Sequence, residues 1–173
     1  PSSSKVVLVT GASAGIGAAI ARELPRQGYR RVVLTARRGD RLHTLAEELR
    51  PHDVDVLTIA ADLEDPSAPE PIMAATIGRF GGLDLLINNA GVTSFGHFAT
   101  GSEEILRAIM EVNFFAPAEL IRLAAPLLAH GKQPAIVNVA SLCGRRGVPA
   151  WSDYSASKFA LFGLPEAVRV ATA

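Results

Sequence analysis

Short apolar runs rich in β-branched residues alternate with longer amphipathic stretches along almost the whole chain. The first run, Lys5 to Thr10 (KVVLVT), passes through a glycine-bearing turn into the helix-like AAIARELPRQG. A second run at 30–36 (RRVVLTA) precedes the charged, helix-patterned RRGDRLHTLAEELR. A third, at 54–60, precedes a helical pattern over 66–80 whose first turn carries Pro66 and Pro69, where proline costs least. Gly81 and Gly82 break that pattern before a fourth run at 83–88 (LDLLIN). Ser102, Glu103 and Glu104 then open a long helical stretch that ends near His130 and Gly131. AIVNVAS at 135–141 predicts a fifth strand, and 151–164 a last helix, which Pro165 should end or kink because it lacks the N–H and clashes with the preceding turn. Repeated β-α units with near-continuous apolar strands predict an α/β fold: a doubly wound parallel sheet with helices on both faces.

One stretch departs from ordinary amphipathicity. Residues 112–130, VNFFAPAELIRLAAPLLAH, are apolar almost all round, with Asn113, Glu119, Arg122 and His130 as the strongly polar exceptions. A helix apolar on two sides is buried on two sides, so a subunit contact is expected here, giving a homodimer or homotetramer.

Composition narrows the function classes. The 173 residues are 49% hydrophobic and 20% charged, as expected of one globular domain with a genuine core. Seventeen basic residues balance seventeen acidic ones, so there is no electrostatic footprint for nucleic acid or an anionic membrane. With neither a long apolar span nor a secretory signal, a cytoplasmic location is expected. The single cysteine, Cys143, excludes an internal disulfide, and no Cys/His spacing of the zinc type suggests a metal.

The candidate chemistry lies at both ends of the chain. Thr10-Gly11-Ala12-Ser13-Ala14-Gly15-Ile16-Gly17 sits between strand and helix, where glycines let the backbone approach a pyrophosphate resting on the helix N-terminus. Such turns also serve packing alone. Near the other end, Tyr154 and Lys158 stand four residues apart, on one face of a helix, with Ser141 thirteen positions before Tyr154. A tyrosine hydroxyl ordinarily ionises near pH 10, and bringing that to neutrality takes roughly 4 kcal/mol of anion stabilisation. An adjacent ammonium acts in that direction. Tyr154 can then exchange a proton with a substrate oxygen while Ser141 donates a hydrogen bond to it. In a sheet of this kind ligands bind at the carboxyl ends of the strands, where Gly11, Arg37, Asp62, 88–91 and Ser141 are all expected.

The glycine turn, then Asn88-Asn89-Ala90-Gly91 after an apolar strand, then Asn113, Ser141, Tyr154 and Lys158 in order, closely resemble the short-chain dehydrogenase/reductase family in its shorter, TGxxxGIG/YxxxK form. The resemblance covers about 5–164. It implies a Rossmann-type fold, a nicotinamide cofactor and hydride transfer between that cofactor and a carbonyl or alcohol, in the direction of ketone or aldehyde reduction. It implies four catalytic residues: Tyr154 for the proton, Lys158 beside it and on the nicotinamide ribose, Ser141 on the substrate oxygen, and Asn113 holding a water that passes protons to Lys158. Asn113 also reads as a polar residue stabilising a helix kink, and both roles can hold. Cofactor contacts are implied for Gly11, Ser13, Gly15, Ile16 and Gly17 of the turn, and for Asn89, Ala90 and Gly91. They are also implied for Asp62 with Leu63 at the adenine, and for Tyr154 and Lys158.

An acidic residue ending the second strand would bind the 2′ hydroxyl of NAD. Here Ala36 stands there and Arg37 follows it, ahead of Arg38, and the Arg37 guanidinium suits the 2′ phosphate of NADP. Ala14 departs from the pattern, because many NADP-using relatives carry a basic residue at that place in the turn. The two arginines also read as a solvated helix start. Family members continue past the Tyr/Lys helix into further strands and a substrate-covering segment, so residues 1–173 are expected to form a single dinucleotide-binding domain that is C-terminally incomplete. A catalytically idle nucleotide-binding or interaction protein on the same fold is the alternative.

Overall fold

The structure is a computed structural model and describes residues 5–171. Five strands, β1 (Val6–Thr10), β2 (Arg31–Ala36), β3 (Asp55–Ala60), β4 (Leu85–Asn88) and β5 (Ala135–Asn138), form one parallel sheet in the order β3-β2-β1-β4-β5. The chain runs outward from β1 to β3, then crosses back to place β4 on the other side of β1. That reversal opens a crevice beyond the carboxyl ends of β1 and β4, where such sheets bind ligands.

Helices α1 (Gly15–Glu23), α2 (Gly39–Leu49), α3 (Pro69–Phe80), α4 (Glu103–Met110) and α5 (Ala116–Leu128) make the crossovers, and α6 (Ser152–Ala171) follows β5. Strand side chains alternate between two cores. Val7 and Val9 of β1, Val32 and Leu34 of β2 and Leu85 and Ile87 of β4 join Ala18, Ala21, Leu42, Leu45 and Leu49 of α1 and α2. Val6 and Leu8, Val33 and Leu86 join Ile72 and Met73 of α3 and Leu120, Ile121 and Ala124 of α5 on the other face. Every residue of β1 and β4 is buried. The doubly wound, Rossmann-type architecture read from the alternating runs is therefore the architecture present.

Four features differ from the sequence reading. The third helix begins at Pro69, because Ser67 donates its N–H and O–H to Asp65 Oδ1 (2.9 and 2.7 Å), fixing a turn that holds Pro66 ahead of the helix. The long stretch from 102 divides into α4 and α5 at a π-helical turn, Glu111–Phe115, in which the Ala116 N–H reaches back to the Glu111 carbonyl. The fifth strand stops at Asn138, three residues short of Ser141, and its edge is incompletely covered, with Val137 44% exposed. Pro165 does not end the last helix: α6 continues through it to Ala171, and α5 likewise contains Pro126. A proline removes only its own N–H from the ladder, and the flanking turns keep their bonds. None of the described helices is long and apolar enough to cross a membrane.

Candidate active site and dinucleotide cleft

The turn after β1 is shaped by close contact. Gly11 has φ +65°, and a Cβ there would meet Ala90 Cα at 2.7 Å. At Gly17 a Cβ would lie 2.4 Å from both Asn89 Nδ2 and the Gly11 carbonyl oxygen. The contacts have a cause in β4's loop: Asn89 donates its side-chain N–H groups to the Thr10 and Gly11 carbonyls (2.9 and 3.2 Å), and Thr10 Oγ1 accepts the N–H groups of Asn89 and Ala90 (3.0 Å each). Asn89 thus works mainly as the clamp on the glycine turn.

Beyond that turn, α1 starts with no side-chain cap at Ala14 and no acidic residue in its first turn. Its first N–H groups and positive dipole end adjoin the cleft, with neither a cap nor a first-turn carboxylate to occupy them. The cleft, about 360 Å³, is lined here by Gly11, Ser13, Ala14, Gly15 and Ile16. Across it stand Asn89, Ala90, Gly91 and Val92 after β4, with Val112 behind. Gly17 is tucked beneath the lining, against Gly11 and Asn89.

The far end of the cleft lies over β2 and β3. Ala36, Arg37 and Arg38 line it, with Ala61, Asp62 and Leu63 opposite. Arg38 donates to Ser13 Oγ (3.1 Å), closing a hydroxyl and a guanidinium around one spot. Arg37 lies 4.0 Å from the Asp62 carboxylate, whose other oxygen accepts the Glu64 N–H at 3.1 Å. A doubly cationic, hydroxyl-bearing rim at one end and an uncapped helix N-terminus in the middle suit a nucleotide carrying several phosphate groups.

The remaining candidates gather where β4, β5, the π-helical turn and α6 meet. Asn113, wholly buried, accepts the Val92 N–H and donates to the Val92 carbonyl and to Ser157 Oγ (2.9 Å each). Ser157 Oγ in turn donates to the Tyr154 carbonyl at 2.8 Å. Lys158 is 4% exposed; its Nζ donates to the Val139 carbonyl (3.0 Å) and lies 5.8 Å from the centre of the Tyr154 ring. Burial pushes the Lys158 ammonium below the usual lysine range. A Cβ on Gly91 would stand 3.3 Å from Asn113 Oδ1 and 3.7 Å from Lys158 Nζ, so the end of the cleft touches this group. Ser141 caps the 3₁₀ turn Leu142–Gly144, its Oγ accepting the Cys143 N–H at 3.2 Å, which leaves its O–H to donate. The same turn packs against α6, where a Cβ on Gly144 would meet the Lys158 carbonyl at 2.7 Å.

Residues 5–173 match the short chain dehydrogenase family. The chain belongs to that family. This family member is 35% identical over 167 residues to the uncharacterized oxidoreductase YxnA of Bacillus subtilis, a match covering 96% of the chain and 47% of that protein. A metagenomic short-chain oxidoreductase solved in complex with NADP superposes with a TM-score of 0.89 at 38% identity, over 97% of this chain and 75% of that one. A short-chain dehydrogenase/reductase from Burkholderia phymatum, solved in complex with NAD, also gives 0.89, at 30% identity, over 95% and 59%. The chain thus spans about half the length of YxnA.

Within this dehydrogenase-family cleft, sequence reading missed two things. It left out the contact of Arg38 with Ser13, 25 residues earlier; Arg37, the guanidinium it named, lines the same end of the cleft beside Asp62. It also gave Asn113 no partner, although Val92 lies 21 residues before it. Adjacent arginines were a visible signal for the first; nothing in the sequence announces the second.

Proposed function

We propose that this chain binds NADP(H) and carries the catalytic groups of a carbonyl reductase. The observation that carries the reading is the continuity of one cleft, from the cationic rim at Ser13, Arg37 and Arg38 to Gly91, which abuts Asn113 and Lys158 beside Tyr154. The rim favours a 2′ phosphate over the 2′ hydroxyl of NAD. The relative solved with NADP supports the same preference, and the one solved with NAD keeps NAD as second choice.

When bound, the cofactor supplies a hydride to the carbonyl carbon from its nicotinamide C4. The chain's own groups do the rest. Ser141 donates a hydrogen bond to the carbonyl oxygen, Tyr154 gives its hydroxyl proton to that oxygen as the alcohol forms, and the Lys158 ammonium steadies the phenolate left behind. Asn113 positions Gly91 and Val92 through its backbone clasp, and its place in a π-helical turn, a frequent mark of functional sites, fits the expected proton path to Lys158. Phe115, which ends the π-helical turn leading into α5, is 51% exposed, and this supports a homodimer or homotetramer. The idle-protein alternative has no observation in its favour.

The test is titration of the purified protein with NADPH and NADH, followed by ketone-dependent loss of NADPH absorbance in wild type and Tyr154→Phe. Tight NADPH binding in both, with turnover lowered about 10²- to 10⁴-fold in the variant, is expected. Undiminished turnover in Tyr154→Phe overturns the assignment.

A further inference from the structure

An aromatic series leads out of the candidate active site. The Trp151 ring meets the Tyr154 ring edge-to-face with centroids 5.6 Å apart, and Phe95 meets Trp151 in the same manner at 6.1 Å. Phe95 lies on the loop after β4, Trp151 just before α6 and Tyr154 in its first turn, and the two segments are joined. Gly96 N–H donates to the Ala150 carbonyl (2.9 Å), and Ser94 Oγ donates to the Asp153 carboxylate (3.3 Å). Ala150 itself has φ +64°, a left-handed conformation that an alanine rarely adopts. Strain of this kind persists only where the surroundings impose it, and it clusters at ligand-binding positions. Here it sets the direction in which the chain enters Trp151.

Phe95 is nevertheless 76% exposed. Phe98, on the same loop, and Leu142, next to Ser141, are also largely exposed. Burying one ring face would be favourable, and exposed apolar side chains beside a reactive group suit the apolar face of a ligand. Beside the outer rings the charge is negative, Asp153 being bonded to Ser94 next to Phe95; the Lys158 ammonium, 5.8 Å from the Tyr154 ring, donates to the Val139 carbonyl, and the Arg145 guanidinium is engaged 4.4 Å from the centre of the Phe162 ring.

Resting on the carbonyl-reductase reading, we infer that Phe95 and Trp151 form a ledge that selects uncharged, ring-bearing ketones, whose flat apolar face lies on the ledge while the carbonyl oxygen reaches Ser141 and Tyr154. An aromatic partner gains offset or edge-to-face contact with the ledge beyond simple burial. A carboxylate-bearing substrate meets Asp153 instead.

The sequence has a single tryptophan, so Trp151 reports its own contact. The experiment titrates protein saturated with NADP⁺ with 1-tetralone and with pyruvate, following tryptophan emission corrected against free tryptophan. Turnover of 1-tetralone, ethyl acetoacetate and pyruvate with NADPH is then measured for wild type, Phe95→Ala, Trp151→Ala and Trp151→Phe. Expected are quenching by 1-tetralone and none by pyruvate, with kcat/KM for 1-tetralone at least ten-fold lower relative to ethyl acetoacetate in both alanine variants and restored in Trp151→Phe. Phe95 is exposed, so its alanine variant stays folded if Trp151→Ala does not. Emission unmoved by 1-tetralone, or a 1-tetralone preference unchanged in Phe95→Ala, overturns the ledge even if other ketones are reduced. Quenching by 1-tetralone without turnover of any ketone supports the ledge and overturns the reductase reading.

Discussion

Asn113 grips Val92 by both backbone groups, its Oδ1 accepting the N–H and its Nδ2 donating to the carbonyl, each at 2.9 Å. Two segments that bear on the site, the loop after β4 and the π-helical turn, are thereby locked together. Asn113→Ala deletes this clasp and the bond to Ser157, leaving two part-buried backbone groups of Val92 and the buried Ser157 hydroxyl without these partners. A loss of about 3 kcal/mol is expected, from about 1–3 kcal/mol for each buried group left unpaired. In a domain of this size that lowers Tm by about 6–12 °C. Thermal unfolding of the variant checks it, and an unchanged Tm would show that the clasp carries no stability.

Gly17→Ala places a methyl 2.4 Å from Asn89 Nδ2 and from the Gly11 carbonyl oxygen, neither of which can retreat without breaking the Asn89 clamp. Overpacking of this sort costs about 1–3 kcal/mol or more. Because the displaced groups shape the turn beneath the cleft, nucleotide affinity should fall together with stability. Calorimetric titration with NADPH reads the first and urea unfolding the second.

Arg38→Ala removes the guanidinium that meets Ser13, while Arg37 stays paired with Asp62. A charge-assisted contact to phosphate is worth about 1.5–3 kcal/mol. The ratio of NADPH to NADH affinity should therefore drop about ten- to a hundred-fold, mostly through weaker NADPH binding. Equal losses for both cofactors would mean that Arg38 contacts something other than the 2′ phosphate.

Lys158 gives a pH signature. Burial lowers its folded-state pKa, so the unfolded chain holds the proton more firmly than the native one. Well below both values the burial penalty is complete. As pH rises from the lowered folded value towards the ordinary lysine value near 10.4, the native state sheds its proton first and the penalty fades. The stability of wild type relative to Lys158→Met should climb with pH across that interval. Urea unfolding at neutral and alkaline pH checks this; a constant difference would place the proton equally in both states.

The parallel sheet was legible because β1, β2 and β4 are apolar on both faces, a pattern that a covered parallel sheet satisfies. Gly11, Arg37, Asp62 and the 88–91 segment fall at the carboxyl ends of the strands for the same reason, since each strand's last apolar residue marks where its loop begins. Ser141 was harder: Val139 and Ala140 prolong the apolar run, and only the turn it caps shows where β5 had stopped. The π-helical turn was illegible because Glu111 to Phe115 keeps helical patterning, and the deviation is one of hydrogen-bond reach alone. Trp151 and Phe95 were passed over for a different reason. Their meaning comes from two loops joined between Gly96 and Ala150, far apart in sequence.

The strand order also fixes when the molecule can assemble. β1 emerges first, pairs with β2 early, and then has one bare edge until β4 arrives: Val6 N–H waits for the Asp84 carboxylate, 78 residues later, at 2.7 Å. Parallel pairing over such a span requires loop closure before any compensating contact, so it is slow relative to helix formation. During synthesis at about 5–20 residues per second, the β1–β2–β3 half spends several seconds with its most apolar strand exposed along one side. In that interval an unpaired apolar strand edge is open to misassociation. A chaperone that shields nascent chains should accordingly bind it best before β4 has left the ribosome.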